Sequence, residues 1–101
     1  MEAGSYLLVG TAQANAESFG STMHGAGRTM SRAQAKRTIR GATLQQTMAE
    51  RGILVKAVSM SGLAEEAGIA YKNIADVVES VDTAGITRKV AELLPIGNIQ
   101  G

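Results

Sequence analysis

Short apolar runs alternate with helix-capping signatures along these 101 residues, and glycines punctuate the junctions between them. That interleaving predicts an α+β (mixed α/β) fold, a small fragment-like domain with about three strands and three to four short helices. Composition bears on its size. Sixteen of the apolar residues are alanines, three residues are aromatic and 12 are glycine. A chain this short buries roughly two-thirds of its unfolded surface. With so few bulky side chains, it suits a close-packed framework better than a thick independent core.

The elements follow in order. "SYLLVGT" (5–11) is an apolar run closed by Gly10 and reads as a buried strand. "AQANAESFG" (12–20) fits either a loop or a single helical turn. A glycine-rich loop comes next. "SRAQ" at 31–34 has the Ser-x-x-Gln form of a capping box and predicts a helix over 32–40, with Gly41 as its stop. "TLQQ" at 43–46 repeats the signature for a second helix that Gly52 ends. "ILVKAVS" (53–59) is a β-branched strand candidate, and "SGLAEEAG" (61–68) a short helix closed by Gly68. "DVVE" at 76–79 opens a helix running to about Ala84. "ITRKVAEL" (86–93) alternates as a half-exposed strand, after which Pro95 and Gly97 loosen a tail.

No repeat, low-complexity segment or linker interrupts this order, so residues 1–101 are expected to form one unit. Strands lie near both ends, which is unusual for an autonomous domain. The expectation is a portion of a larger fold, or a chain that dimerises through its apolar faces.

Net charge is only +1, which excludes a protein that seeks polyanions with its whole surface. The charge is uneven, however. Arg28, Arg32, Lys36, Arg37 and Arg40 cluster together, and no acidic residue stands between Glu17 and Glu50. This block is an anion site or a solvated helix face. The absence of cysteine excludes disulfides, thiolate zinc sites and a cysteine nucleophile, and one histidine cannot form a histidine metal cluster. The apolar runs are too short to cross a bilayer and no signal peptide opens the chain, so a cytoplasmic address is expected.

The single histidine lies in "GSTMHGAGRTMSR" (20–32). Gly20, Gly25 and Gly27 permit positive φ and close approach of a ligand to the backbone. Successive N–H groups in such a loop can converge on a phosphate oxygen, and a helix starting near Arg32 would add its positive end. His24 could attack phosphorus there while amides and guanidinium groups hold the charge on oxygen. Arg28, Arg32, Lys36 and Arg40 recur every four residues, as along one helical stripe. Simpler readings stay open: a hydrogen-bonding surface histidine, glycines that only make turns, and a basic face turned to water.

The string "FGSTMHGAGRTMSRAQAK" resembles the His-Gly-Ala-Gly-Arg motif of the RtcB family of RNA-splicing ligases, and the similarity continues colinearly. "GSYLLVGT" is similar to the strand before that motif, and "RGILVKAVSMSGLAEEAGIAYKNIADVVESVDTAGI" to the segment after it. "ITRKVAELLPIGNIQG" resembles the family's closing strand and C-terminus. The match is to about the last fifth of a family member.

The resemblance implies an enzyme joining RNA 2′,3′-cyclic phosphate or 3′-phosphate ends to 5′-hydroxyl ends, as in tRNA splicing and RNA repair. GTP and Mn(2+) would be its cofactors, and RNA (tRNA halves) its partner. His24 would be the nucleophile that becomes His–GMP. Ser5, Gly25, Ala26, Gly27, Tyr71 and Gln100 would contact GMP, and Arg28 and Arg32 the phosphates or RNA. Lys36 and Arg40 are left to solvent or distant RNA backbone.

Two departures stand out. Gln100 replaces a family lysine that contacts guanine. The family's manganese ligands, an Asp, a Cys and several His, lie upstream of the matched region. Metal would therefore be held outside this chain, which alone is expected neither to self-guanylylate nor to ligate. The chain is read as the C-terminal portion of a ligase that needs its missing N-terminal portion or a partner chain. The alternative is a stand-alone, non-enzymatic nucleotide- or anion-binding module, as a possible homo-oligomer. A small phosphocarrier using His24 is a third reading.

Overall fold

Four helices begin where a short polar side chain satisfies one of the backbone N–H groups that a first turn leaves unpaired. Thr11 accepts from Ala14 N at 3.2 Å, Ser31 from Gln34 N at 3.1 Å, Ser59 from Gly62 N at 3.0 Å and Asn73 from Ala75 N at 2.9 Å. The computed structural model describes residues 1–101. Its order is β1 (Ser5–Gly10), α1 (Ala12–Ser18), α2 (Arg32–Thr38), α3 (Gly41–Glu50), β2 (Leu54–Ala57), α4 (Met60–Glu65), a 3-10 turn (Gly68–Ala70), α5 (Ile74–Thr83), β3 (Thr87–Leu93) and β4 (Gly97–Gln100). The fold is mixed α+β, as expected. No helix is long and apolar enough to cross a membrane.

Several boundaries differ from the sequence reading. The ambiguous 12–20 segment is a helix, closed by Phe19 at φ 55. Gly41 does not stop a helix. It is the buried first residue of α3, and a Cβ there would lie 1.9 Å from the Met60 carbonyl oxygen. Only glycine lets the starts of α3 and α4 meet so closely. The second capping box fails for the same reason: with Gly41 leading, Thr43 falls inside the helix, and Arg40 at the N-cap makes no side-chain cap bond. Gly68 opens the 3-10 turn rather than simply ending α4.

The main core joins α3, β2 and α4. Leu44, Met48, Ile53, Val55, Leu63 and Ala67 form it, with Met48 and Leu63 wholly buried. Full burial of such side chains contributes about 1.5–3 kcal/mol each. It is a thin core.

The strands form two separate pairs. β1 and β3 run antiparallel from Ser5↔Leu93 to Gly10↔Thr87, with a bulge where Leu7 faces Ala91 and Leu8 faces Lys89. β2 and β4 run parallel from Leu54↔Gly97 to Ala57↔Gln100. β4 replaces the expected loose tail. Its "GNIQ" carries turn-forming residues and no local strand signal, so its extended form depends on the pairing with β2.

The molecule is elongated, 45 × 27 × 20 Å, with a radius of gyration of 15.5 Å. A compact domain of this length has about 13 Å. Leu54, Val58, Ile96 and Ile99 are between 64% and 88% exposed around the β2–β4 pair. Parallel sheets are ordinarily covered on both faces. This one leaves its outer face open.

Candidate functional site

The loop between α1 and α2 is tied at both ends and open in the middle. At its start, Gly20 N donates to Ala14 O at 2.9 Å and the Ser18 hydroxyl to Ser21 O at 2.7 Å. At its far end, Arg28 and Tyr71 form an isolated antiparallel bridge. Thr29 N donates to Ala70 O at 2.8 Å, and Lys72 N to Gly27 O at 2.9 Å. Gly27 sits at φ +75, a left-handed conformation that a side chain would strain. Between these anchors His24 and Gly25 are exposed.

His24 faces a cavity of about 870 Å³ bounded by β1, the loop, the 66–74 segment and the chain from Leu93 to Gln100. Ser5, His24, Gly25, Ala26, Tyr71 and Gln100 all line it. Six of the predicted site residues, from four stretches of sequence, thus share one space. β1 supplies Ser5, and the register of β4 brings Gln100 in. Gly27 belongs to the loop's base and not to the cavity wall.

Arg28 and Arg32 do not line the cavity. The Arg28 guanidinium stacks 4.7 Å from the centroid of the Tyr71 ring. Its Nη1 donates to the Tyr71 hydroxyl at 2.9 Å, its Nη2 to Glu65 O at 2.7 Å and its Nε to Met30 O at 3.0 Å. The carboxylate of Glu66 lies 3.8 Å from Nη1 and accepts a hydrogen bond from the Tyr71 hydroxyl. Arg32 lies 3.7 Å from Glu65, and Lys36 lies 2.6 Å from it. The expected stripe of four cations is therefore broken up. Arg28 precedes α2, only Arg32 and Lys36 belong to that helix, and Arg40 caps α3. Nor does the start of α2 add to the loop, because Ser31 caps it and the helix lies off the cavity.

Two residues outside the sequence-based site belong here. Glu66 and Lys72 line the cavity, and Glu65 beside Glu66 turns to α2 instead. The sequence does hold a signal: the acidic pair in "AEEAG" is the nearest acidic complement downstream of the basic block except for Glu50.

Titration follows these contacts. Burial, then the hydrogen bond to Glu66, pushes the Tyr71 phenol above its ordinary value. The Lys36 hydrogen bond, opposed by some burial and helped by the charges of Lys36, Arg32 and Arg28, holds the Glu65 carboxyl below 4.5. A depressed carboxyl stabilises the fold above its unfolded value and loses that contribution as pH falls through its folded value. Acid titration below about pH 4.5 should therefore loosen the contact of α2 with α4, and Lys36→Ala should weaken that pH dependence, leaving the smaller part due to Arg32 and Arg28. Amide-resolved NMR of α2 against α3 checks this.

No three His, Cys, Asp or Glu side chains come together as a metal site. What the cavity does offer is an open imidazole, a tyrosine ring, a serine hydroxyl and a carboxamide on partly apolar walls. With Glu66 and Lys72 also on its walls, the cavity offers a flat ring to stack on and several hydrogen-bonding groups.

The family model for tRNA-splicing ligase RtcB matches residues 1–101. The tRNA-splicing ligase RtcB of Methanopyrus kandleri is 52% identical over 101 residues, all of this chain and 10% of that protein. That of Archaeoglobus fulgidus is 53% identical over 97 residues, 96% of this chain and 20% of the relative. The RNA-splicing ligase RtcB of Mycobacterium tuberculosis is 44% identical over 101 residues, 23% of its length. The chain thus spans between a tenth and a quarter of the curated relatives described. With the whole chain inside the match, it belongs to the tRNA-splicing ligase RtcB family.

Proposed function

We propose that this chain is the nucleophile-bearing, C-terminal part of an RNA ligase that uses GTP to join 2′,3′-cyclic phosphate or 3′-phosphate ends to 5′-hydroxyl ends. The observation that carries the reading is the open His24 ring on a cavity shared with Ser5, Tyr71 and Gln100. A neutral imidazole nitrogen attacks the α-phosphorus of GTP. The N–P bond forms as the bond to pyrophosphate breaks, leaving GMP on His24. A 2′,3′-cyclic end is first opened by water, which attacks phosphorus as the 2′-oxygen leaves. An oxygen of the resulting RNA 3′-phosphate then takes the guanylyl group and frees the histidine. The 5′-hydroxyl oxygen attacks that activated phosphate, and GMP leaves.

Tyr71 supplies a ring for the base, while Ser5 and Gln100 supply polar contacts. Gly25, Ala26 and Gly27 let the loop lie close against the phosphate. Arg28 and Arg32 are the proposed phosphate or RNA anchors. Arg28 uses three of its five N–H donors on the protein, and Arg32 is largely exposed, so both retain capacity. Manganese, which would offset the triphosphate charge, finds no ligand set among these residues. Its ligands, on this reading, come from a missing N-terminal portion or partner chain, and the protein acts in the cytoplasm on RNA such as tRNA halves.

The test is labelled GTP with Mn(2+), with and without the N-terminal portion of a family member. Label on His24 only when that portion is present is the expected result. Label on another residue, or none under either condition, contradicts it.

A second reading, a homodimerising nucleotide- or anion-binding module, is favoured by the exposed Leu54, Val58, Ile96 and Ile99. It predicts nucleotide binding without covalent labelling, and self-association in sedimentation. Both readings expect the isolated chain to associate; a well-folded monomer counts against each.

A further inference from the structure

Three side chains meet at the foot of the His24 loop, from three separate stretches of the chain. Arg28 is the loop's last anchor, Tyr71 follows the 3-10 turn, and Glu66 ends α4. Glu66 has two partners there, the Tyr71 hydroxyl that donates to it and the Arg28 guanidinium 3.8 Å away. Side-chain exposure of 21% for Arg28 and 29% for Glu66 makes this more than a surface ion pair. Arg28 in turn stacks on Tyr71, and the two residues form the backbone bridge that closes the loop. Glu66 is the one carboxylate in this cluster, because Glu65 turns to Arg32 and Lys36.

We infer that Glu66 is a positioning residue for the proposed nucleotide site: its carboxylate fixes the Tyr71 hydroxyl and the Arg28 guanidinium together, and so holds the foot of the loop that presents His24. The inference rests on the nucleotide-site reading for its purpose, although the contact itself is testable without nucleotide. Without Glu66, the Tyr71 hydroxyl loses its acceptor and the Arg28 guanidinium loses its counter-charge. The ring then tilts freely between the cavity and the loop. Gln can still accept from the phenol but cannot balance Arg28, so Glu66→Gln and Glu66→Ala separate the two functions.

The charged or titratable groups near Tyr71 are Glu66 just after α4, Arg28 on the loop, and Tyr6, His24 and Lys72 on the same cavity. In the intact chain, the Tyr71 phenol should titrate at higher pH than an unperturbed tyrosine. Tyr71→Phe assigns its signal against Tyr6. Glu66→Gln should lower the Tyr71 titration, while burial still holds the phenol above its ordinary value. Hydrogen exchange supplies the second readout. The amides of Thr29 and Lys72, which donate across the bridge, should exchange about tenfold faster in Glu66→Ala and less so in Glu66→Gln. The α3 amides should not change.

An unmoved phenol, or unmoved bridge amides in a folded Glu66→Ala, overturns the assignment. So does loss of the whole fold in both variants, since a residue that only positions the loop leaves the α3–β2 core standing. Failure of GTP labelling with both shifts intact sinks the ligase reading and leaves Glu66 as the loop's anchor.

Discussion

His24→Ala, in a ligase reassembled with its N-terminal portion, is expected to cut transfer of the guanylyl group from GTP by at least about a thousandfold. This chain holds no other imidazole and no cysteine that could take over from the loop. The fold should not notice. The ring is exposed on a loop and packs into no core, so thermal unfolding of the variant should match the parent within about 0.5 kcal/mol. Transfer measured with labelled GTP, beside the melting curve, separates chemistry from stability. Label retained at the parent rate would remove His24 from the mechanism.

Gly41→Ala is expected to cause the largest loss of stability for a single added carbon. A Cβ at this position meets the Met60 carbonyl at 1.9 Å and its carbonyl carbon at 2.7 Å, both backbone atoms that no rotamer change can move. The starts of α3 and α4 must separate, opening the contact that shields Leu44, Met48 and Leu63. Over-packing of this kind costs about 3 kcal/mol, enough to lower the melting midpoint by more than about 10 °C. Gly25→Ala is the contrast: nothing lies within 4 Å of its added carbon, and its φ is not positive. It should leave the melting curve nearly unchanged. Equal midpoints for the two variants would contradict the close approach of α3 and α4.

Local chemistry made much of this fold legible from sequence. Ser31 caps α2 as its Ser-x-x-Gln pattern implies, and Gly52 takes positive φ after α3. The strands 5–10 and 87–93 lie where composition puts them, although β1, read as buried, has no buried residue. Where the sequence reading went astray, a distant partner decided the outcome. Gly41 looks like a helix stop until Met60 is seen against it. "GNIQ" looks like a tail until β2 is seen beside it. The site divides in the same way. The glycine motif marks His24, and the family resemblance marks Ser5, Tyr71 and Gln100, which do converge on one cavity. The electrostatics are less accessible, because a row of cations shows its charge and not its counterions. Glu65 and Glu66, some 30 residues away in sequence, engage Arg28, Arg32 and Lys36 through tertiary contacts that no local pattern encodes.

GMP titrated into the isotopically labelled chain, followed by amide NMR, tests the central claim most directly. Shifts concentrated at Ser5, at His24 through Arg28, at Tyr71 and at Gln100 are the predicted result, with α2 beyond Arg32 silent. Shifts confined to Arg32 and Lys36, or none at millimolar nucleotide, would contradict a guanine-nucleotide cavity built around His24.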